Sequence, residues 1–220
     1  MTASMFDRLR SRGCRSERIH IIHNWSDDEN ITAVPMTENP LRQEWGLADK
    51  FVVGYSGNLG RAHEFDTVLR ASEQLRNNPR IAFVMIGGGH KMQEFARLVK
   101  DKDLAAAYRF MPYQERSSLA YSLGAADVHW ISLKPELEGL IVPSKFYGVA
   151  AAARPVIAIT AKDGEIARLI QQHQCGIVIE PSDSNGLANA IKMLAGNPEA
   201  VATMGRNARA MLDSGLTRQN

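Results

Sequence analysis

From Phe51 to Leu212 the chain alternates short apolar runs with amphipathic segments, and this rhythm restricts the fold more than any other feature. Residues 51–55, 81–86, 108–111, 127–133, 155–159 and 176–179 read as short, largely buried strands. Between them apolar residues recur at helical spacing. Phe65, Val68, Leu69 and Leu75 form one such set, and Met92, Phe95, Ala96 and Val99 form the next. Further helices are expected at 115–123, 144–152, 165–172, 185–194 and 198–212, the last two parted by Gly196-Asn197-Pro198. Strands that alternate with helices pair in parallel, and right-handed crossovers cover both faces. The expected fold is α/β, a Rossmann-like doubly wound parallel sheet of about six strands.

Residues 1–50 do not follow this rhythm. They offer an amphipathic helix carrying Met5 and Leu9, a strand over 19–23, and polar loop through Asn39. They are read as the tail of a preceding domain plus a linker, with residues 51–220 forming the sheet domain.

Composition narrows the partners. A formal charge of +2 gives no electrostatic footprint for nucleic acid. No apolar run approaches the roughly 20 residues that span a bilayer, and no signal peptide is visible. The two cysteines, Cys14 and Cys175, fit no metal or redox spacing, which points to free thiols and a cytoplasmic setting. Six scattered histidines, His20, His23, His63 and His90 among them, lack the neighbours that a metal site needs. His129 alternates within a strand and reads as a core histidine.

Ligands of open parallel sheets bind beyond the carboxyl ends of the strands, where strand order reverses. In the six-strand order the loops at that point are 57–61 and 134–145. Gly57-Asn58-Leu59-Gly60-Arg61 has two glycines that let the backbone turn with exposed N–H groups, beside an arginine able to reach a phosphate. It matches neither the dinucleotide fingerprint nor a P-loop. In the second loop Leu140, Ile141 and Val142 follow Gly139, and Ser144 is placed to cap the next helix. Lys145 stands at the positive end of that helix, where a cation is disfavoured unless an anion binds beside it. Gly87-Gly88-Gly89, followed by His90 and Lys91, reads either as an anion site or as the tight exit of a strand.

These residues carry a resemblance. Phe51-Val52-Val53-Gly54-Tyr55-Ser56-Gly57-Asn58-Leu59-Gly60, then Phe83-Val84-Met85-Ile86-Gly87-Gly88-Gly89, resemble the C-terminal domain of family-4 glycosyltransferases with the GT-B fold. So do Ala125-Ala126-Asp127-Val128, and Val142-Pro143-Ser144-Lys145-Phe146-Tyr147 followed by Arg154-Pro155-Val156-Ile157-Ala158. Ile21-Ile22-His23-Asn24-Trp25-Ser26-Asp27 looks like the family's crossing between domains. The likeness is strongest to the colanic-acid (exopolysaccharide) subgroup.

The resemblance implies transfer of a sugar from a nucleotide-diphosphate donor, a UDP-sugar favoured, with retention at the anomeric carbon. It implies no metal and no cofactor beyond the nucleotide-sugar co-substrate. It puts Gly57, Asn58, Leu59, Gly60 and Arg61 on the phosphate loop, and Leu140, Ile141 and Val142 on a loop whose amides face the diphosphate. Phe110, Met111 and Pro112 fall where the base is held, and Glu138 where the donor sugar is addressed. Arg61 and Lys145 would stabilise charge on the departing diphosphate. Three positions depart from the common pattern: Asn58 stands for an arginine, His63 for a lysine, and Gly148 for the glutamate that holds the ribose. The resemblance also implies a missing N-terminal, acceptor-binding domain. Residues 1–220 alone are expected to bind nucleotide weakly and transfer nothing. The full-length enzyme would act on a saccharide or lipid-linked acceptor in surface-polysaccharide synthesis, touching the inner face of the membrane peripherally. Two other readings share the pattern: a nucleotide-sugar epimerase of the same fold, and a non-catalytic nucleotide-binding module.

Overall fold

In the computed structural model, which describes residues 3–20, 24 and 31–214, six parallel strands stand in the order β3-β2-β1-β4-β5-β6. They are β1 (Phe51–Asn58), β2 (Ile81–Gly88), β3 (Tyr108–Met111), β4 (Val128–Ser132), β5 (Val156–Ile159) and β6 (Gly176–Ile179). Strand order reverses between β1 and β4, as the Rossmann expectation requires. The helices are α1 (Ala3–Ser11), α2 (Pro40–Glu44), α3 (Asp66–Leu75), α4 (Met92–Asp101), α5 (Leu119–Gly124), α6 (Lys145–Ala151), α7 (Glu165–His173), α8 (Ser184–Ala195) and α9 (Pro198–Asp213).

The two faces of the sheet divide the helices. Val53, Tyr55, Phe83, Met85, Trp130 and Ile157 point to one side and pack with α3, α4 and α8. On the other side Ile131, Val156 and Ala158 meet α6, α7 and α9. Every residue of β4 and β5 is buried; β5 is accordingly an apolar run, while β4 carries the buried polar residues His129 and Ser132. His129 is a core residue as expected, 1% exposed, with Nε2 donating to the Leu123 carbonyl at 2.8 Å.

The segment before β1 is built onto the sheet. Asn39 accepts the Leu41 amide at its side chain and donates Nδ2 to the Tyr121 carbonyl, so it caps α2, whose first residue is Pro40. Arg42 is buried: it pairs with Asp127 at 3.0 Å and donates to the carbonyls of Ala125, Leu47 and Lys50. Trp45 and Leu47 pack on Val52, Ala82 and Val84. Arg154 holds the Val34 carbonyl at 2.7 Å, and Arg209 that of Ile31 at 3.2 Å. Sequence reading leaves this stretch as polar loop and places the domain start at residue 51. The contacts of the sheet domain reach back to Ile31.

Helix α1 falls where the Met5–Leu9 pattern places it. Ile19 and His20 are not in a strand, and residues 21–23 of that expected strand lie outside the described residues, as does most of the 21–27 crossing. Cys14 and Cys175 are free thiols. No helix among the described residues is long and apolar enough to cross a membrane.

Candidate functional site

At the switch point a cleft of about 540 Å³ opens between the end of β1 and the start of α6. That volume falls within the range of small-molecule sites. Its walls are Gly57, Asn58, Ala62 and His63 on one side, and Ile141, Val142, Pro143, Ser144, Lys145 and Gly148 on the other.

Lys145 is the cleft's cation. Its stem crosses β1, with Cε 3.6 Å from where a Gly57 side chain would begin, and Gly57 itself has φ +129°. The φ is what calls for glycine there, since a Cβ would make only ordinary contact with the lysine stem. The Lys145 ammonium donates to the Tyr55 hydroxyl and lies 4.1 Å from the centroid of that ring. Tyr55 in turn donates to the Asn58 carbonyl at 2.8 Å. A further bond runs to His63 Nε2 at 3.2 Å. His63 Nδ1 faces the Ser132 carbonyl at 2.7 Å, and a carbonyl only accepts, so Nδ1 carries the proton and Nε2 is a lone pair. Burial, then the Lys145 charge, hold the His63 pKa down at about 4, which keeps the ring neutral. No carboxylate pairs with Lys145 among the described residues, and burial lowers its pKa to about 7. The ammonium is thus held by neutral acceptors, with its charge unbalanced.

Three residues that line the same cleft carry free amides. Val142, Ser144 and Lys145 have no acceptor for their N–H groups among the described residues. The expected Leu140 and Ile141 amides are not available, because both already bond to the Leu137 carbonyl, at 3.0 and 3.1 Å. Ser144 does not cap α6 with its side chain, contrary to the sequence reading. Its backbone is already helical, and the Ser144 carbonyl accepts from Tyr147.

The glycine loop also differs in detail. Leu59 is fully buried, its amide bonded to Gly88 and its carbonyl to Lys91, and the Gly60 amide bonds to Asn58. The exposed run of N–H groups read from 57–60 is therefore closed. Gly87-Gly88-Gly89 serves as the tight exit: a side chain at Gly89 would meet Asn58 and the Leu59 backbone at 2.3–2.6 Å. Arg61 is exposed, outside the cleft wall and without an ion pair among the described residues.

Phe110 and Met111 lie two strands from the cleft, paired with Met85 and Ile86, and Pro112 follows them on the surface. The neighbour that bridges this gap, Tyr113, is invisible to sequence reasoning. Its ring rests 3.1–3.2 Å from where side chains at Gly87 and Gly88 would begin, and those glycines are the register partners of Gly57 and Asn58. A 62% exposed aromatic face therefore borders the glycine floor. Glu138 is not in the cleft wall; its carboxylate accepts from the Thr160 hydroxyl behind Leu133 and Pro143. Gly148 lies in the floor, and a Cβ there would meet only Leu123 Cδ1 at 3.9 Å. Gly148→Ala is expected to raise stability by about 0.5–1 kcal/mol in denaturant melts, since alanine fits the helix interior without a clash.

Fold and cleft together define a Rossmann-type domain with a lysine-bearing cleft at its switch point. The chain belongs to the family of glycosyl transferases group 1, whose model matches residues 38–211. It is 32% identical over 174 residues to a probable glycosyltransferase of Pseudomonas aeruginosa, WbjE, covering 77% of this chain and 42% of that protein. With the putative colanic acid biosynthesis glycosyl transferase WcaI of Escherichia coli K12 it shares 24% identity, over 87% of the chain and 47% of the relative. The chain thus spans less than half the length of either relative. Anabaena HepE in complex with UDP superposes with a TM-score of 0.81 at 22% identity, over 96% of this chain and 57% of that one. Its likeness establishes the GT-B type of fold.

Proposed function

We propose that this chain is the donor-binding half of a retaining glycosyltransferase that uses a nucleotide-diphosphate sugar. The observation that carries the reading is Lys145: a partly buried ammonium without a paired carboxylate at the switch point, in a cleft whose lining residues include three with free amides. A diphosphate supplies both the missing charge and the acceptors. Lys145 stands against His63, so it brings a cation to the place where the common pattern has a lysine. Tyr113 offers a face for a base. UDP is favoured because HepE was solved with it. The likeness to WcaI supports surface-polysaccharide synthesis on a saccharide or lipid-linked acceptor, at the inner face of the membrane. Residues before Ile31 would then close a preceding acceptor-binding domain, and the charge on the leaving diphosphate would be met by Lys145 and fixed amides without a metal.

Thermal midpoints with UDP, GDP and ADP test this reading. A ligand at about 100 times its dissociation constant adds roughly 2.7 kcal/mol, a rise of about 5–10 °C for a chain of this size. One diphosphate should raise the midpoint, Lys145→Ala should cut the rise by about half or more at the same ligand concentration, and Arg61→Ala should leave most of it. No rise with any nucleotide would contradict the proposal. The absence of a side chain at Gly148, where the family holds a ribose, favours one second reading: a nucleotide-binding module without transfer activity. Product analysis with the full-length protein separates the two.

A further inference from the structure

Lys145 is held by two side chains whose remaining hydrogen bonds are spent on the backbone. Tyr55 is fully buried and does not line the cleft, so it does not reach a ligand there. Its hydroxyl proton is committed to the Asn58 carbonyl at 2.8 Å, and its oxygen accepts from the Lys145 ammonium. The ring is fixed as well, with Trp130 against it at 4.5 Å between centroids. His63 is the second holder. Its Nδ1 proton goes to the Ser132 carbonyl at 2.7 Å, which leaves only the Nε2 lone pair for Lys145, at 3.2 Å. Ser132 is 1% exposed, and its hydroxyl accepts the Glu64 amide at 3.1 Å, which seats the His63 loop on the end of β4.

A neutral imidazole whose one N–H is spent on Ser132 has no donor for a phosphate oxygen. Nor has a buried phenol that has already given its proton to Asn58. Both side chains therefore act on an anion only through Lys145. An ammonium has three N–H donors. Two are taken, and they set the direction of the third. The stem is confined too: Cε and Nζ lie 3.6 and 3.7 Å from where a side chain at Gly57 would begin. A lysine free in solvent samples many rotamers and loses them when it closes on a ligand. One that is already held loses little, and the ligand binds more tightly by that difference.

We propose that Tyr55 and His63 are positioning residues for Lys145, occupying two of its three N–H donors so that the third is held ready for an anionic ligand of the cleft. This inference rests on reading the cleft as a diphosphate site. Two backbone carbonyls keep the holders in their role, that of Asn58 for the hydroxyl and that of Ser132 for the imidazole.

Titrations of the chain with UDP, followed by amide chemical shifts, separate the two levels. Tyr55→Phe keeps the ring on Trp130 and removes one acceptor; His63→Leu removes the other. Each should weaken UDP by about 3–10-fold, the scale of ordering one long side chain. His63→Gln returns an acceptor and should bind UDP within about twofold of the wild type. In a Lys145→Ala background Tyr55→Phe and His63→Leu should change the remaining affinity by less than about twofold, because no ammonium is left to place. Losses that persist undiminished in that background, wild-type affinity in both single variants, or a His63→Gln variant as weak as His63→Leu overturn the positioning role. So does a His63 ring protonated on Nε2 in the free protein, read from its nitrogen–proton correlations. Failure of UDP to bind the wild-type chain overturns the donor-site reading, and this inference with it.

Discussion

Arg42→Ala is expected to lower the thermal midpoint by about 10 °C, the equivalent of about 3–5 kcal/mol for a chain of this length. The guanidinium is 7% exposed, and Asp127 beside it 11%. Removing the arginine leaves the Asp127 charge with one hydrogen bond, from the Val52 amide at 2.7 Å, and the more distant Arg154 charge, and strips partners from the carbonyls of Ala125, Leu47 and Lys50. An uncompensated buried charge is costlier than the pair it came from is stabilising. Replacing both partners, Arg42→Met with Asp127→Leu, should therefore cost less than the sum of the single changes, the gap being the coupling between them. Additive losses would mean that the pair does not hold the pre-β1 segment to the sheet.

Lys145→Ala is expected to weaken diphosphate binding by about 10–100-fold at pH 7, the value of a charge-assisted contact. The pH dependence gives a sharper signature. The unliganded Lys145 titrates near pH 7 because burial disfavours its charge. A bound diphosphate favours the charged form and raises that pKa, so binding takes up a proton above pH 7. Affinity should fall from pH 7 to 9 by up to about tenfold per unit, and be flat in this group below 7. This window also lies above the phosphate's own titration, near pH 6. Folding responds with the opposite sign. The unfolded lysine holds its proton up to about 10.5 and the folded one only to about 7, so this group adds stability as pH rises between those values. Both slopes should vanish in Lys145→Ala. His63 stays neutral throughout the range and adds to neither.

Most of the sheet was legible because its strands are buried on both faces. Runs such as 81–86 carry no polar alternation, and strand order follows from the crossover rule once six of them are counted. Helix α2 was missed because five residues show no period, although Asn39 followed by Pro40 is a start signal. The burial of Arg42 could not be read, since its partner Asp127 lies far along the chain and only the fold brings them together. Within the site, Lys145 stood out through its charge at a helix start, and that signal led to the cleft. Arg61 is expected at the site for its charge and its place after the glycine loop, and neither says where a side chain points. The Leu140 and Ile141 amides looked free because the Leu137 carbonyl that engages them belongs to a short 3₁₀ turn absent from any periodicity. Tyr55 read as core, which it is, apart from the hydroxyl that meets Lys145. Tyr113 gave no sequence signal, since its role depends on Gly87 and Gly88 across the fold.

The most direct test of a donor site at the switch point is an amide chemical-shift map of the chain titrated with UDP. The account predicts saturable shifts at Gly57, Val142, Ser144 and Lys145, continuing to Gly87, Gly88 and Tyr113, and weakened in Lys145→Ala. Saturable shifts centred elsewhere, or none in this cleft at millimolar UDP, would contradict it.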